Sequence, residues 1–340
     1  SRGMDDGKAS RAFFEEHVAG RTGADRADVR LGPTYGADFG VVDVGESVVA
    51  LATDPVFVLR ELGLERAAWF AFHICASDVA LSGLPPAHLA VDLNLPPGTS
   101  TETFDRIWDV FDREARALGT SLTTGHTGTY EGCAFPTVGG ATALAVGDPE
   151  DLVLPTGASP GDRVVVTKGP AVETTGLLGV LFGDDLPIGE REAAAASERF
   201  EDASPVRDAL TMAAAGDVTA MHDATERGLA NGLHELAAAS RVGLAVDRDA
   251  VPVLPGVEAV CEHFGMDPWT ASSEGTVVAT VAPDSVDGVL AALDDEGIPA
   301  EAVGRVESGS GVTVDGEPLA EPTSDPLWPA YQRAREAYRT

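Results

Sequence analysis

The chain has 340 residues, 44% of them hydrophobic, enough for two domains of ordinary size with a real core. Its 55 acidic residues against 23 basic ones give a formal charge of −32, with Lys8 and Lys168 the only lysines; the clustered cations that nucleic acid requires are missing, so no such partner is expected. Acid spread along the whole chain is the solubility pattern of a protein adapted to high salt, and no apolar run approaches the ~20 residues needed to span a bilayer, so a cytoplasmic protein without a membrane partner is expected.

In chain order, the run 48–53 predicts a short strand that Asp54-Pro55 ends. Residues 64–81, rich in alanine and aromatics on several faces, predict a helix buried on more than one side. The run 88–95 alternates as a strand, 101–118 reads as a capped amphipathic helix with Phe104, Ile107, Val110 and Phe111 on one face, and 137–146 as a further strand. Between them, 123–128 reads as a Gly/Thr loop. This is one α+β domain, residues 1–155. The Pro-, Gly- and Ser-rich run 154–161 marks a boundary, and 156–340 forms a second domain. Its predicted elements are a strand at 163–167, a helix after Val172, an amphipathic helix at 227–240 carrying Leu229, Leu233 and Leu236, strands at 242–246 and 276–281, and a helix at 285–295.

Three carboxylates occupy suggestive places. Asp38 lies in Gly36-Ala-Asp-Phe-Gly40, Asp54 at a strand end, and Asp78 in an apolar helix where an unpaired charge would be costly. Carboxylates at element ends suit Mg²⁺ shared with a triphosphate, although turn and cap chemistry accounts for aspartate in such places equally well. In the loop, Gly125 and Thr127 permit close approach to phosphate, and His126 could meet a phosphate, a metal or a proton in transit. The segment 221–229 sets His222, Asp223, Thr225 and Glu226 at the start of the 227–240 helix. Its free N–H groups would favour an anion, while Asp223 or Thr225 could equally be the N-cap. Neither of the familiar glycine-rich nucleotide signatures is present, and Cys75, Cys133 and Cys261 form no paired motif.

The order of these motifs resembles the aminoimidazole ribonucleotide (AIR) synthase superfamily, which also holds thiamine-monophosphate kinase, selenophosphate synthetase and the hydrogenase-maturation factor HypE. The resemblance runs from about residue 30 to 310, through 36–42, Ala52-Thr-Asp54, 77–83, Gly125-His-Thr127, 159–162, 221–229 and Ser272-Ser-Glu-Gly-Thr276, and is nearest the HypE branch. It implies an α+β two-domain PurM-like protomer: an N-terminal domain that forms a dimeric β-barrel, and a C-terminal α/β sandwich. It also implies Mg–ATP bound near the dimer interface. Asp38, Asp54 and Asp78, with His126 where relatives usually carry an aspartate, are the implied metal set. Gly36, Thr53, Gly125, Thr127, Lys168 and Thr225 are the implied nucleotide contacts, and Asp223, His222 and Glu226 the implied catalytic groups. HypE acts on a cysteine at its own tail, whereas the last cysteine here is Cys261, so chemistry on such a tail is not expected. The resulting expectation is an ATP- and Mg²⁺-dependent enzyme that phosphorylates an oxygen of a small molecule or of a protein-borne group. The alternatives are thiamine-monophosphate kinase and a nucleotide-binding assembly or regulatory protein without turnover.

Overall fold

A computed structural model describes residues 11–338. The first half holds α1 (Arg11–His17), β1 (Val29–Leu31), β2 (Gly40–Val44), β3 (Ser47–Phe57), α2 (Leu64–Ala80), β4 (Pro86–Leu95), α3 (Thr101–Leu118), β5 (Ser121–Thr129) and β6 (Thr137–Gly147). Its sheet runs β1-β2-β3-β6-β4-β5. Only the β4–β5 pair is parallel, and α3 makes the crossover between those two strands.

Helix α3 follows its sequence closely. The Ser100 hydroxyl accepts the Thr103 N–H at 3.1 Å to cap the start, and Gly119 at φ 69° closes the end in the left-handed region. Ile107, Val110 and Phe111 are buried, whereas Phe104 stays half-buried at the margin. Helix α2 buries Ala67, Phe70, Ala71, Phe72, Cys75 and Ala76, and the small residues let it lie close to both β3 and α3. Phe72 meets Phe111 edge to face at 5.5 Å.

Two expectations need correction here. Strand β3 does not stop at Asp54-Pro55 but runs to Phe57, because its pairing with β2 ends at Leu51 and Pro55 therefore interrupts no hydrogen-bonded ladder on that side. The segment 123–128 is not a loop but the middle of β5. Its threonines favour extended backbone, and Gly125 lets β5 approach β4 so closely that a Cβ would stand 2.4 Å from the Val91 carbonyl oxygen.

The second half follows a turn-rich stretch, 148–162. It comprises β7 (Arg163–Thr167), α4 (Val172–Phe182), α5 (Glu190–Glu198), α6 (Val206–Ala215), β8 (Val218–Asp223), α7 (Gly228–Ser240) and β9 (Gly243–Val246). Then come α8 (Val257–Phe264), β10 (Val277–Val281), α9 (Val286–Asp295), β11 (Ala300–Glu307), β12 (Gly311–Val314), β13 (Glu317–Pro318) and α10 (Leu327–Tyr338). Its sheet runs β13-β12-β9-β11-β7-β10-β8. Strands β7 and β10 are covered on both faces, which explains their unbroken apolar sequence. Val164, Val166 and Val278 pack with Leu229 and Leu233 of α7, while Val165, Val277 and Ala279 face the other way. That second layer, with Leu178, Met212 and Val289, is continuous with Phe72 and Phe111 of the first half. A shared core of large side chains, each worth roughly 1.5–3 kcal/mol when fully buried, fixes the two halves against each other. Among the described residues no helix is long and apolar enough to cross a membrane.

Candidate metal and nucleotide site

The site lies where the two halves meet. Strand β8, absent from the sequence reading, carries His222 and Asp223 at its end, so these residues precede the α7 turn instead of lying within it. Helix α7 is preceded by Arg227 at the N-cap position, in the left-handed region at φ 64° and without a side-chain cap, so neither Asp223 nor Thr225 occupies that position. The Thr225 carbonyl instead accepts the N–H groups of Gly228 at 3.0 Å and Ser273 at 3.3 Å.

His222 is 1% exposed and held among acids. Its Nε2 lies 2.9 Å from Asp38 Oδ2 and 3.4 Å from Glu235 Oε2, and its Nδ1 donates to the Asp223 carbonyl oxygen at 2.6 Å. Burial is the largest single influence and works against the charged ring, but Asp38, Glu235 and Asp223 together overturn it and push the pKa up to about 10. At neutral pH His222 is therefore an imidazolium that ties the Asp38 loop to the second half, not a base ready to take a proton. Stability gained from this cage is complete below histidine's ordinary 6.5 and is lost as pH rises through about 10. Asp38, His222 and Asp223 each offer a ligand atom within 4.8 Å of the others.

More acid converges from both sides. Buried Cys75 of α2 feels the charges of Asp54, Asp78 and Glu274, and burial before these pushes its thiol far up, so it is inert. Glu274 is 4% exposed and sits well above the usual carboxylate range, first through burial, then through Asp223 and Glu173, with Asp54 adding to them. One of its oxygens is buried without a hydrogen-bond partner among the described residues. Glu173, in the first turn of α4, accepts the Ser272 hydroxyl at 2.6 Å and the Glu274 N–H at 3.0 Å on one oxygen. Burial pushes it up to about 7 from an ordinary 4.5.

A pH test follows from Glu173. Between about 4.5 and 7 the unfolded chain loses this proton while the folded one keeps it, so stability falls as pH rises through that window. Glu173→Gln keeps an oxygen for both hydrogen bonds and removes the cost of burying a charge. Its melting temperature should match wild type near pH 4.5 and exceed it at pH 8; equal melting at both pH values would contradict the assignment.

Several implied site residues have other duties. Lys168 is 5% exposed, and its ammonium donates to the carbonyls of Asp202 at 2.9 Å, Ser204 at 3.0 Å and Gly275 at 3.1 Å while pairing with buried Asp208 at 3.0 Å. Gly36 serves close packing, since a Cβ there would stand 2.5 Å from the Glu235 carbonyl oxygen at φ +80°. Gly125, His126 and Thr127 are exposed on β5, and His126 hydrogen-bonds the Tyr130 hydroxyl at 2.5 Å. The register Asp54–Ala141–Val91–Gly125 puts three strand spacings, roughly 14 Å, between Asp54 and this segment. Thr53 is exposed beside Asp54 and bonds Thr142 through the hydroxyls at 2.8 Å. Glu226 is half-buried and adds its charge to Glu173 and Asp325. Asp325 itself accepts the N–H groups of Arg227 at 2.6 Å and Leu327 at 2.9 Å, pinning the start of α10 to the start of α7.

Sequence reasoning passed over Glu235, Glu274, Glu173 and Asp325. Glu235 could have been noticed as a charge between Leu233 and Leu236 on an apolar helix. Nothing local marks Asp325.

Residues 36–157 match the N-terminal domain of AIR synthase related proteins, and residues 159–317 match the C-terminal domain. The chain belongs to the AIR synthase related protein family. Carbamoyl dehydratase HypE of Rhizobium leguminosarum bv. viciae is 32% identical over 250 residues, covering 68% of this chain and 65% of that protein. The chain thus spans just under two thirds of the length of the curated relatives it matches first. The crystal structure of E. coli HypE, a hydrogenase maturation protein, superposes with a TM-score of 0.70 at 26% identity over 82% of this chain and 87% of that one. A HypE solved in complex with ATP has a TM-score of 0.66 at 21% identity over 95% of this chain and 98% of its own, a likeness of fold. The mixed α+β architecture with two sheets is therefore the one this family uses.

Proposed function

We propose that this member of the family is an ATP- and Mg²⁺-dependent enzyme that transfers a phosphoryl group to an oxygen of a small molecule or of a protein-borne group. The observation that carries the reading is the convergence of Asp38, Asp54 and Asp78 from the first half with Asp223 and Glu274 from the second. The carboxylate oxygens contributed from the two halves are the donor type that suits the hard Mg²⁺ ion. Asp38, Asp54, Asp78 and Asp223 would hold the metal, which would offset charge on the phosphates when bound. Burial, followed by the charges of Asp223 and Glu173, raises the Glu274 pKa. His222 keeps Asp38 in place as a fixed cation, and His126, three strands away, has no part in this set. A cavity of about 370 Å³ lined by Asp38, Gly40, Thr53 and the strands beside them opens next to the acids and is in the size range of small-molecule sites. The solved HypE–ATP complex, which has this fold, supports a nucleotide as occupant.

The deciding experiment is ATP consumption at high salt with Mg²⁺ and fractions of a metabolite extract. Release of ADP that depends on one fraction supports an enzyme and leads to the acceptor. Tight ATP binding with no turnover in any fraction would replace this reading with a nucleotide-binding module.

We further read residues 1–155 as the nucleotide-binding and dimerising unit and 156–340 as its partner domain, with the chain a homodimer. Strand β5 leaves one edge open and is exposed along most of its length, and Val44 and Val146 of the same sheet are 57% and 47% exposed. Such an edge invites a second sheet, and closing a barrel across two protomers would satisfy it. Light scattering at high salt should give twice the chain mass of 35.1 kDa; a single chain mass would contradict the dimer.

A further inference from the structure

We propose that a second cleft, between α2 and α3 of the first half and α4 and α5 of the second, is a binding site for a small molecule that joins a planar ring to an anionic group. The cleft encloses about 790 Å³, and it sits at a junction between halves, where ligand sites commonly form.

Its floor is aromatic. Half-buried Trp69 packs against Phe200 at 5.5 Å and against the His73 ring at 4.5 Å, and His73 is itself fixed by Ser204 Oγ at 2.8 Å. An indole held from beneath in this way offers a rigid surface for stacking.

Its rim is cationic, against the trend of the molecule. In a chain with 55 acids and 23 bases, a surface arginine has many carboxylates to choose from. Arg113 shows the usual outcome, binding Glu65 at 2.9 Å and one oxygen of Glu114 at 3.0 Å, while the other Glu114 oxygen meets His73 at 3.1 Å. Two of the three carboxylates lining the cleft are thereby engaged, and Glu201 alone remains. Arg66 and Arg106 line the same cleft, and neither has a hydrogen bond, ion pair or ring contact among the described residues. Two guanidiniums open to an incoming ligand, beside a supported indole, match a phosphate or carboxylate carried on a ring.

The site is independent of the nucleotide reading, although α2 carries Trp69 at one end and Asp78 at the other. The test uses the full chain at molar salt, where long-range repulsion of anions is screened. Adenosine monophosphate and indole-3-acetate are titrated separately by calorimetry, one presenting phosphate and the other carboxylate. At least one should bind, and the preferred probe identifies the anionic group. Its affinity should fall about tenfold or more in Arg66→Ala/Arg106→Ala and stay unchanged in Asp78→Asn. Both arginines are exposed, and the single change Arg106→Gln gives the same readout if the double variant does not fold. No binding of either probe, binding indifferent to the arginines, or binding lost in Asp78→Asn would each overturn the proposal.

Discussion

Replacing Lys168 with methionine should destabilise the protein by about 3–5 kcal/mol, the usual penalty for leaving a buried charge without its partner. The ammonium satisfies three carbonyls and sits 3.0 Å from Asp208, which is 1% exposed. Burial raises the Asp208 pKa, and the Lys168 ammonium beside it works in the opposite direction. The three carbonyls belong to the chain before α6 and to the segment carrying Glu274, so the loss should spread to the candidate site's second-half wall. Denaturant unfolding at high salt checks the size of the effect. Lys168→Met/Asp208→Asn should recover part of the loss, because the orphaned charge is then gone. A phosphate-binding lysine would behave in the opposite way, with unchanged unfolding and weakened ATP affinity.

Lys168 also shows where sequence stops being informative. Its rarity in an acidic chain was visible, and a phosphate contact was a reasonable inference, but burial is decided by the tertiary packing of segments that lie far apart in sequence. Elements whose local signals agree were legible: α3 with its Ser100 cap and closing Gly119, β7 with its valine run, and α7 with leucines one face apart. Where local signals conflicted, the reading slipped. Pro55 looked like a terminator because sequence does not reveal that β2 has already left the ladder by that point. The Gly/Thr run of β5 looked like a loop because an exposed edge strand lacks the apolar alternation that marks a half-buried one. The acids followed the same logic. Asp38, Asp54, Asp78 and Asp223 stood out through motif context, while Glu173, Glu235 and Asp325 were lost in a background of surface carboxylates and were revealed only by their burial and hydrogen bonds.

Asp78→Asn should weaken Mg–ATP binding about tenfold or more, which corresponds to ~1.4 kcal/mol or above, because a neutral amide cannot replace a carboxylate at a metal. Without metal the same change leaves the size of the side chain nearly unaltered, so the apo protein should melt close to the wild-type temperature. A carboxylate kept only for the packing of α2 would give the reverse pattern, with melting lowered and nucleotide affinity intact.

The most direct measurement is calorimetric titration of ATP into the wild-type chain at high salt, with Mg²⁺ and again with a chelator. If the acids at the junction of the two halves form a metal–triphosphate site, ATP binds only with Mg²⁺, and Asp54→Asn or Asp78→Asn sharply reduces that binding. ATP affinity that is the same with and without Mg²⁺, or insensitive to both substitutions, would contradict the assignment.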